Sequence, residues 1–574
     1  MIQYTKYCKQ EYIENIIHSV SKLLVHRGPD SFNYKLIECG DKTIIMIHLR
    51  LHIIGESMPQ PIVKDNISLI INGEIFNWKE LGKELEYECT QSDCEILIPL
   101  YKKYIKENND FDSFYNKING QFSFILYDND TGNILVSRDH IGITPLYYGY
   151  DDNKVVFCSE MKGLTINPDE KSSFLENIKV FEPRKYLYSN ILVSECNNIV
   201  KDCYNYLDYY NFEYNSSECN NSSIIKKNIK SKLETSVYGQ LIDLINLNIE
   251  FGVLLSGGLD SSLIASIISK TDTLKTRVKT FSIGICKDST DLIASRKVAK
   301  FLNTDHYEFY FTIEEGIKSI KDVIWYIESY DTTTVRASTA MYLLTKKIKE
   351  KFPNLKVLFS GELSDEMLSY VYGSNAPSEL DFQNETIRLV SDVHLFDCLR
   401  ANKSCMSNGI EARVPFTDPD FVKYMLSIPP KFKIFGKLNN YKTIEKQILR
   451  DAFNINHKDG KPYLPIEILK RGKEAFSDGV SSHVNGIKEN WVDSVIQFCD
   501  KKYTDPIFNL KTNRYDYNKP ETKEQLYYRE LFCELFNKKY MNTSELTVGF
   551  WKPKWCGVGI IDPSARKHIK EQFN

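Results

Sequence analysis

A strand-rich α+β domain followed by an α/β domain built on a parallel sheet is the fold this sequence predicts, and three observations predict it. Up to about Pro168, short apolar runs such as Thr43–Ile47 and Ile67–Ile71 alternate in polarity and are punctuated by Asn, Asp and Gly, the pattern of half-buried strands. Later, apolar runs at Phe251–Leu255 and Val357–Phe359 alternate with helical stretches at Leu292–Leu302, Ile317–Ile327 and Met341–Ile348, as parallel strands joined by crossover helices do. Between these regions, residues 194–228 turn to Asn, Asp, Tyr and Ser with few aliphatics, the composition of an exposed connection or insertion. The expected domains are therefore 1–193 and 229–574, joined by 194–228. The last stretch, from about Val492, is aromatic and charged without a clear period.

A chain of 574 residues exceeds what one hydrophobic core usually organises, and 42% hydrophobic residues suffice to build two. Lys and Arg number 73 against 76 Asp and Glu, for a net charge of −3. That balance gives no drive toward nucleic acid or an anionic membrane, so any phosphate binding is local. The 14 cysteines form no CxxC pair, and no apolar N-terminal segment resembles a signal peptide or a membrane span. A reducing cytoplasm is the expected compartment, which makes the glycosylation-like triplet Asn215-Ser216-Ser217 a chance match.

The sharpest local signal follows the run Phe251–Leu255. It reads Ser256-Gly257-Gly258-Leu259-Asp260-Ser261-Ser262 and leads into the helical run Leu263–Ile268. Two glycines at a strand end let backbone N–H groups approach an anion on the helix N-terminus, and the serines add hydroxyl donors. The string lacks the lysine of a Walker loop, so it suits a leaving pyrophosphate better than a γ-phosphate held for transfer. Asp260 is then placed to bind magnesium beside the phosphates.

This string resembles the pyrophosphate loop of the N-type ATP pyrophosphatases. Further strings resemble the asparagine synthetases: Thr280-Phe281-Ser282-Ile283-Gly284-Ile285, Tyr330 to Ser338, Ser360-Gly361-Glu362-Leu363-Ser364-Asp365-Glu366, Gly409 to Phe416, Glu445 to Arg450, Lys473-Glu474-Ala475-Phe476-Ser477-Asp478-Gly479, Thr522 to Glu524 and Asp562 to Arg566. The resemblance implies that Leu255, Ile283, Ser360 and Gly361 line an adenosine site, with Ser256 to Ser262 around the pyrophosphate. It implies that Glu362 is the acid needed to form an aspartyl-adenylate and that Asp365 joins Asp260 on Mg2+. Asp397 and Arg400 resemble the pair that holds the amino acid end of aspartate, and Lys446 the cation that neutralises the α-phosphate. For Glu366 and Arg450, solvated surface is the plainer reading. The family usually has Gly where this chain has Leu363, so a positive φ there would be strained.

The first domain carries Arg27-Gly28-Pro29-Asp30, Arg50-Leu51, Asn72-Gly73-Glu74-Ile75-Phe76-Asn77, Ser92-Asp93-Cys94-Glu95, Asn119 to Phe124 and Ser137-Arg138-Asp139. Together these resemble the glutaminase domain of class II, N-terminal-nucleophile amidotransferases. Arg50 suits the glutamine carboxylate, Glu74 and Asp93 its ammonium, and Asn72 with the Gly73 N–H an oxyanion hole. In that family the nucleophile is a cysteine exposed by Met removal, with its own amine as base. Here the second residue is Ile2, no apolar strand is recognisable after it, and Cys8 is internal. Lost glutaminase activity, a start upstream and further processing all fit, and the retained binding strings favour the upstream start.

The fold implied by the resemblance is a four-layer αββα domain of the N-terminal-nucleophile type joined to a doubly wound parallel-sheet domain. The implied activity is ATP-dependent amidation of aspartate, with glutamine or free ammonia as nitrogen donor and AMP and pyrophosphate as products. No nucleic acid or membrane partner is expected, and the resemblance also admits a homodimer. A β-lactam synthetase shares the loop but not the strings at Lys473–Gly479 and Asp562–Arg566. A silent homologue is expected to have lost Asp260 or Lys446, and both are present.

Overall fold

The computed structural model of the protein describes residues 2–6, 10–40, 42–55, 60–89, 92–151, 154–164, 177–191, 221–440, 442–482, 490–536 and 549–556. The readings at Cys8, at Asn215-Ser216-Ser217, over 194–220 and at Asp562–Arg566 lie outside these residues. The chain forms two compact units, 1–211 with 545–547 and 212–544 with 548–574.

The first unit is built on two antiparallel sheets. Strands β1 (Ile2–Lys6), β2 (Ser31–Cys39), β3 (Lys42–Arg50), β8 (Tyr147–Tyr150), β9 (Lys154–Cys158) and β10 (Asn177–Val180) form one, in the order β10-β8-β9-β1-β3-β2. Strands β4 (Ile62–Lys64), β5 (Ile67–Ile75), β6 (Gly120–Asp128), β7 (Asn133–Arg138) and β11 (Tyr186–Asn190) form the other, in the order β11-β7-β6-β5-β4. Alternate residues of each sheet meet in one core, where Ile44, Met46 and Phe157 pack with Ile70, Ile125 and Val136. The next residues along, Leu69, Ile71 and Phe124, face the other way, onto Leu97, Leu100 and Phe114 of two short helices. Helix Gln10–Leu24 buries Ile13, Ile16, Val20 and Leu24, one stripe at helical spacing, and packs on β3. The result is the expected αββα layering.

One reading needs correction. Ile2–Lys6 shows no apolar strand pattern, yet it forms β1, with Ile2 opposite both Met46 of β3 and Phe157 of β9. Its neighbours on both sides have backbone groups to pair, and that demand decides the conformation where the side chains give no signal.

The second unit holds an all-parallel sheet of β12 (Phe251–Leu254), β13 (Lys279–Gly284), β14 (Asp305–Tyr310), β15 (Val357–Phe359) and β16 (Glu411–Arg413), in the order β14-β13-β12-β15-β16. The chain starts at the centre, winds outward through β13 and β14, then returns to the other side of β12. That reversal opens a crevice at the carboxyl ends of β12 and β15. Val253, Phe281, Ile283, Val357, Leu358 and Phe359 are fully buried in the sheet, as strands covered on both faces require. Helix Thr332–Lys351 packs on β13 and is capped by Asp331, whose Oδ2 accepts from the Thr334 N–H at 2.8 Å.

Two further readings change. Helix Ser222–Asn246 begins inside the stretch read as connection, capped by the Asn221 side chain, and buries Ile225, Ile229 and Leu233 at helical spacing. Among the described residues, the stretch after Val492 is largely helical up to Phe536, at Trp491–Lys502, Asp505–Thr512 and Lys523–Phe536. Its aromatic residues Trp491, Tyr503, Tyr528 and Phe532 are buried, and tertiary burial overrides the weak local period. Among the described residues no helix is long and apolar enough to cross a membrane.

Candidate active site

The glycine and serine loop sits in the crevice that the topology opens. Leu255 extends β12 by one pairing, its N–H donating to the Phe281 carbonyl at 2.8 Å. Gly257 then turns with φ +73, and a Cβ there would lie 2.5 Å from the backbone of Ala294 and Ser295, so only glycine fits. The Gly258 N–H donates to Ser256 Oγ at 3.2 Å, the Ser256 N–H to Ser261 Oγ at 3.3 Å, and the two hydroxyls lie 3.1 Å apart. The loop is thus shaped by its own contacts at the N-terminus of helix Leu259–Ser269, a geometry that suits an anion. From β15, Gly361 approaches so closely that a Cβ would meet the Ser261 nitrogen at 2.8 Å.

One cavity collects most of the residues singled out in the sequence. Leu255, Ile283, Ser360 and Gly361 line it with Ser256, Asp260 and Ser261 of the loop, and so do Glu362, Asp365, Asp397 and Arg400. A smaller cavity shares Ser256, Asp260 and Ser261 and adds Gly258, Leu259 and Lys446. Gly257 and Ser262 line neither. The first acts through the turn, and the second is wholly buried on its helix.

The charged groups form two chains of contacts. In one, Arg400 donates to Glu362 Oε2 at 2.7 Å and pairs with Asp397, one turn before it on helix Asp397–Met406. Burial raises the Glu362 carboxyl above its ordinary range, against the pull of Arg400. In the other chain, Lys446 Nζ lies 2.6 Å from Asp260 Oδ2 and 2.7 Å from Asp365 Oδ1, while Lys473 Nζ lies 2.6 Å from Asp365 Oδ2. Burial pushes Asp365 upward too, but the two ammonium groups overcome it and hold the carboxyl well below the usual range. Ser364 Oγ donates to the other oxygen of Asp260 at 2.8 Å.

The backbone carrying these groups is unusual. Leu363, Ser369, Tyr370 and Lys446 all have positive φ, with Leu363 at +74, so the strain expected of Leu363 in a glycine conformation is present. Glu366 and Arg450 are not solvated surface, since both are buried. Arg450 donates to the Leu469 carbonyl and to Glu445 Oε1, each at 2.7 Å, and Glu366 is pushed well above the carboxylate range by burial and by Asp397.

Lys473 lies in the string Lys473–Gly479, and sequence reasoning gives it no role. Asp291, Arg471, Glu474, Tyr370 and Trp551 were missed as well. Asp291 pairs with Arg471 at 3.0 Å, and burial pushes its carboxyl up to about 6. All six line one or both cavities. The string beginning at Lys473 was the available signal.

In the first unit, Asn72, Gly73 and Glu74 are consecutive on β5, paired with Ser123, Phe122 and Gln121 of β6. Gly73 has φ +137, and a Cβ would strike the Gln121 carbonyl. Asp93 is drawn to the end of β5 by accepting the Ile75 N–H at 2.7 Å. Arg50 comes from the other sheet, at the end of β3, and donates to the carbonyls of Ile54 and Gly55 at 3.0 and 3.2 Å. Two residues earlier, His48 Nε2 meets the Ile71 carbonyl at 3.1 Å and ties β3 to β5. Asn72 Nδ2 lies 3.5 Å from Ser159 Oγ.

The two folds are those of an amidotransferase domain and a parallel-sheet synthetase domain in one chain. Residues 3–202 match the family described as glutamine amidotransferase domain, and residues 228–376 and 371–558 match asparagine synthase. A Schizosaccharomyces pombe protein named "Probable asparagine synthetase (glutamine-hydrolyzing)" is 39% identical over 95% of this chain and 94% of its own length. Asparagine synthetases (glutamine-hydrolyzing) of Zea mays and Arabidopsis thaliana are 38% and 37% identical, each over 91% of this chain and over 83% and 84% of their own lengths. The chain belongs to the asparagine synthetase family, a family of carbon–nitrogen ligases.

Proposed function

We propose that the protein makes asparagine from aspartate, ATP and ammonia in two steps at the crevice of the second unit. One observation carries this reading: the phosphate-type loop, the Glu362–Arg400–Asp397 chain and the Lys446–Asp365–Lys473 chain converge in adjoining cavities. Leu255, Ile283, Ser360 and Gly361 hold the adenosine, and the loop from Ser256 to Ser262 holds the phosphates. Arg400 and Asp397 exchange part of their mutual pairing for the carboxylate and ammonium of aspartate.

In the first step a side-chain oxygen of aspartate bonds to the α-phosphorus, and the bond to the bridging oxygen of pyrophosphate breaks. Lys446 and Lys473 neutralise the charge that develops there. In the second, the ammonia nitrogen bonds to the acyl carbon, AMP leaves with the electron pair, and Glu362 takes the proton that the nitrogen sheds. Its raised pKa suits a base.

Asp260 and Asp365 are the residues that would hold a magnesium ion, two hard carboxylates suited to an ion that completes its shell with water and substrate phosphates, once the Lys446 ammonium that now lies between them turns to the substrate. Bound there, it would supply further positive charge to the phosphates.

The nitrogen enters as ammonia, from solution or from glutamine held in the first unit by Arg50, Asn72, Gly73, Glu74 and Asp93. The free thiols among the described residues support a reducing cytoplasm, and a homodimer is compatible with this reading. The test is the product pair. ATP, magnesium, aspartate and ammonium should give asparagine, AMP and pyrophosphate in equal amounts, and ADP with phosphate would overturn the adenylation chemistry.

A further inference from the structure

The smaller cavity beside the loop holds a charged group to which the two steps above assign no part. This cavity shares Ser256, Asp260 and Ser261 with the larger one but none of the adenosine-lining residues Leu255, Ile283, Ser360 and Gly361. A nucleotide whose adenosine fills the larger cavity therefore carries its outer phosphates into the smaller one. Lys446, Arg450, Lys473 and Arg471 border that space. Lys446 and Lys473 face Asp260 and Asp365, and Arg450 is turned to the Leu469 carbonyl and Glu445. Arg471 reaches the loop itself. One arm of its guanidinium, Nη1, lies 3.4 Å from the carbonyl of Ser256, the first residue of the loop. The other, Nη2, lies 3.0 Å from Asp291 Oδ1 and 2.9 Å from Glu474 Oε2.

The partners in this cluster differ in freedom. Asp291 stands in the first turn of helix Thr290–Leu302 and is pressed against Gly479, where a Cβ would lie 2.2 Å from its Oδ2. Glu474 is anchored through its other oxygen, which accepts from Thr290 Oγ1 at 2.7 Å. The Arg471 side chain is 18% exposed against 6% for Asp291, so the guanidinium is the half that can swing. Burial holds the Asp291 carboxyl up at about 6 against the pull of Arg471. An ion pair whose attraction falls short of the desolvation of its acid releases its cation readily.

We propose that Arg471 is a catalytic residue at the pyrophosphate end of ATP: its fork leaves Asp291 and Glu474 to grip the outer phosphates, and the two carboxylates take it back as pyrophosphate departs. The assignment rests on the reading of this crevice as an adenylating site. A guanidinium matches two phosphate oxygens at once, which the ammonium groups of Lys446 and Lys473 do not. The waiting acids compete with pyrophosphate for the same cation, so they speed its release.

Inhibition by added pyrophosphate, measured against ATP with ammonium as nitrogen source, tests this because the two partners should move it in opposite directions. Arg471→Gln and Arg471→Lys should each raise the pyrophosphate inhibition constant about tenfold, the lysine variant because charge alone does not replace the fork. Asp291→Asn keeps the shape but removes a competitor, so the same constant should fall about threefold or more, with a lower kcat as release slows. The aspartate KM should stay within about twofold of the parent in all three. Should Arg471→Gln fold poorly, Arg471→Lys and Asp291→Asn carry the test by themselves. An inhibition constant unchanged in the Arg471 variants would overturn the proposal. So would a rise in Asp291→Asn matching theirs, because a pair that only shapes the loop weakens binding whichever half is changed. A parent enzyme that yields ADP and phosphate would instead defeat the adenylating reading beneath it, and this assignment with it, before any variant is made.

Discussion

The two units hold their candidate residues by different physical means. In the first, Asn72, Gly73 and Glu74 sit in the middle of a paired strand, and the register with β6 fixes where each points. In the second, none of the charged groups lies within a strand. Asp260 opens a helix, Glu362 and Asp365 follow β15, Arg400 rides a helix, and Lys446 and Lys473 arrive from loops far along the chain. Ion pairs locate these side chains, and the backbone beneath them departs from ordinary φ at Leu363, Ser369, Tyr370 and Lys446. A strand-mounted site is fixed before its ligand arrives, whereas a site mounted on ion pairs must surrender some of those pairs to the substrate.

That contrast breaks first at the phosphates. Lys446→Ala and Asp260→Asn should each slow pyrophosphate release by roughly a hundredfold or more, the size of removing a charge aimed at a transition state. Circular dichroism should be unchanged. Near-native turnover would return either residue to a purely structural role.

At the amino acid end, Arg400→Lys keeps the charge but loses the planar fork that reaches Glu362 and Asp397 together. The aspartate KM should rise about tenfold, or roughly 1.4 kcal/mol of binding, with little change in the ATP KM. Equal changes in both would mean that Arg400 supports the whole cavity rather than one substrate.

In the first unit, Glu74→Gln should weaken glutamine binding by about fivefold to tenfold, measured by isothermal titration. Ammonia-dependent turnover should stay at the parent rate. A loss of ammonia-dependent turnover would contradict the assignment of the two jobs to separate units.

The smallest effect isolates the strain. At an ordinary position Gly is less stable than Ala by about 0.5–1 kcal/mol. At Leu363, with φ +74, the order should reverse, with Leu363→Gly melting above Leu363→Ala by about 1 kcal/mol of stability. Ala keeps a buried Cβ that Gly lacks, which favours Ala, so a reversed order can come only from the backbone.

Much of this was legible in the sequence, and the unread part has a common cause. Phe251–Leu255 followed by two glycines announces a strand, a tight turn and a helix, because each step has a local residue requirement. The alternating runs announce β3 and β5 for the same reason. Lys473 carries no such mark: its contact with Asp365 spans 108 positions, and no periodicity encodes a meeting of two loops. Strand β1 was missed because its place is dictated by its neighbours' unpaired backbones, and the helices after Val492 because aromatic burial rather than period holds them. The seven residues from Ser222 to Asn228 read as connection by composition, but the apolar stripe that makes them helical continues well beyond them.

The most direct test of the central claim follows one atom. Aspartate labelled with heavy oxygen in its side-chain carboxylate is turned over with ATP, magnesium and ammonium, and the AMP is analysed by mass spectrometry. An acyl-adenylate intermediate requires that one labelled oxygen stay with phosphorus when the acyl carbon is attacked, so the AMP should carry a single label and the pyrophosphate none. Unlabelled AMP, or label in inorganic phosphate accompanied by ADP, would show that the carboxylate is activated another way and that the loop from Ser256 to Ser262 does not serve adenylation.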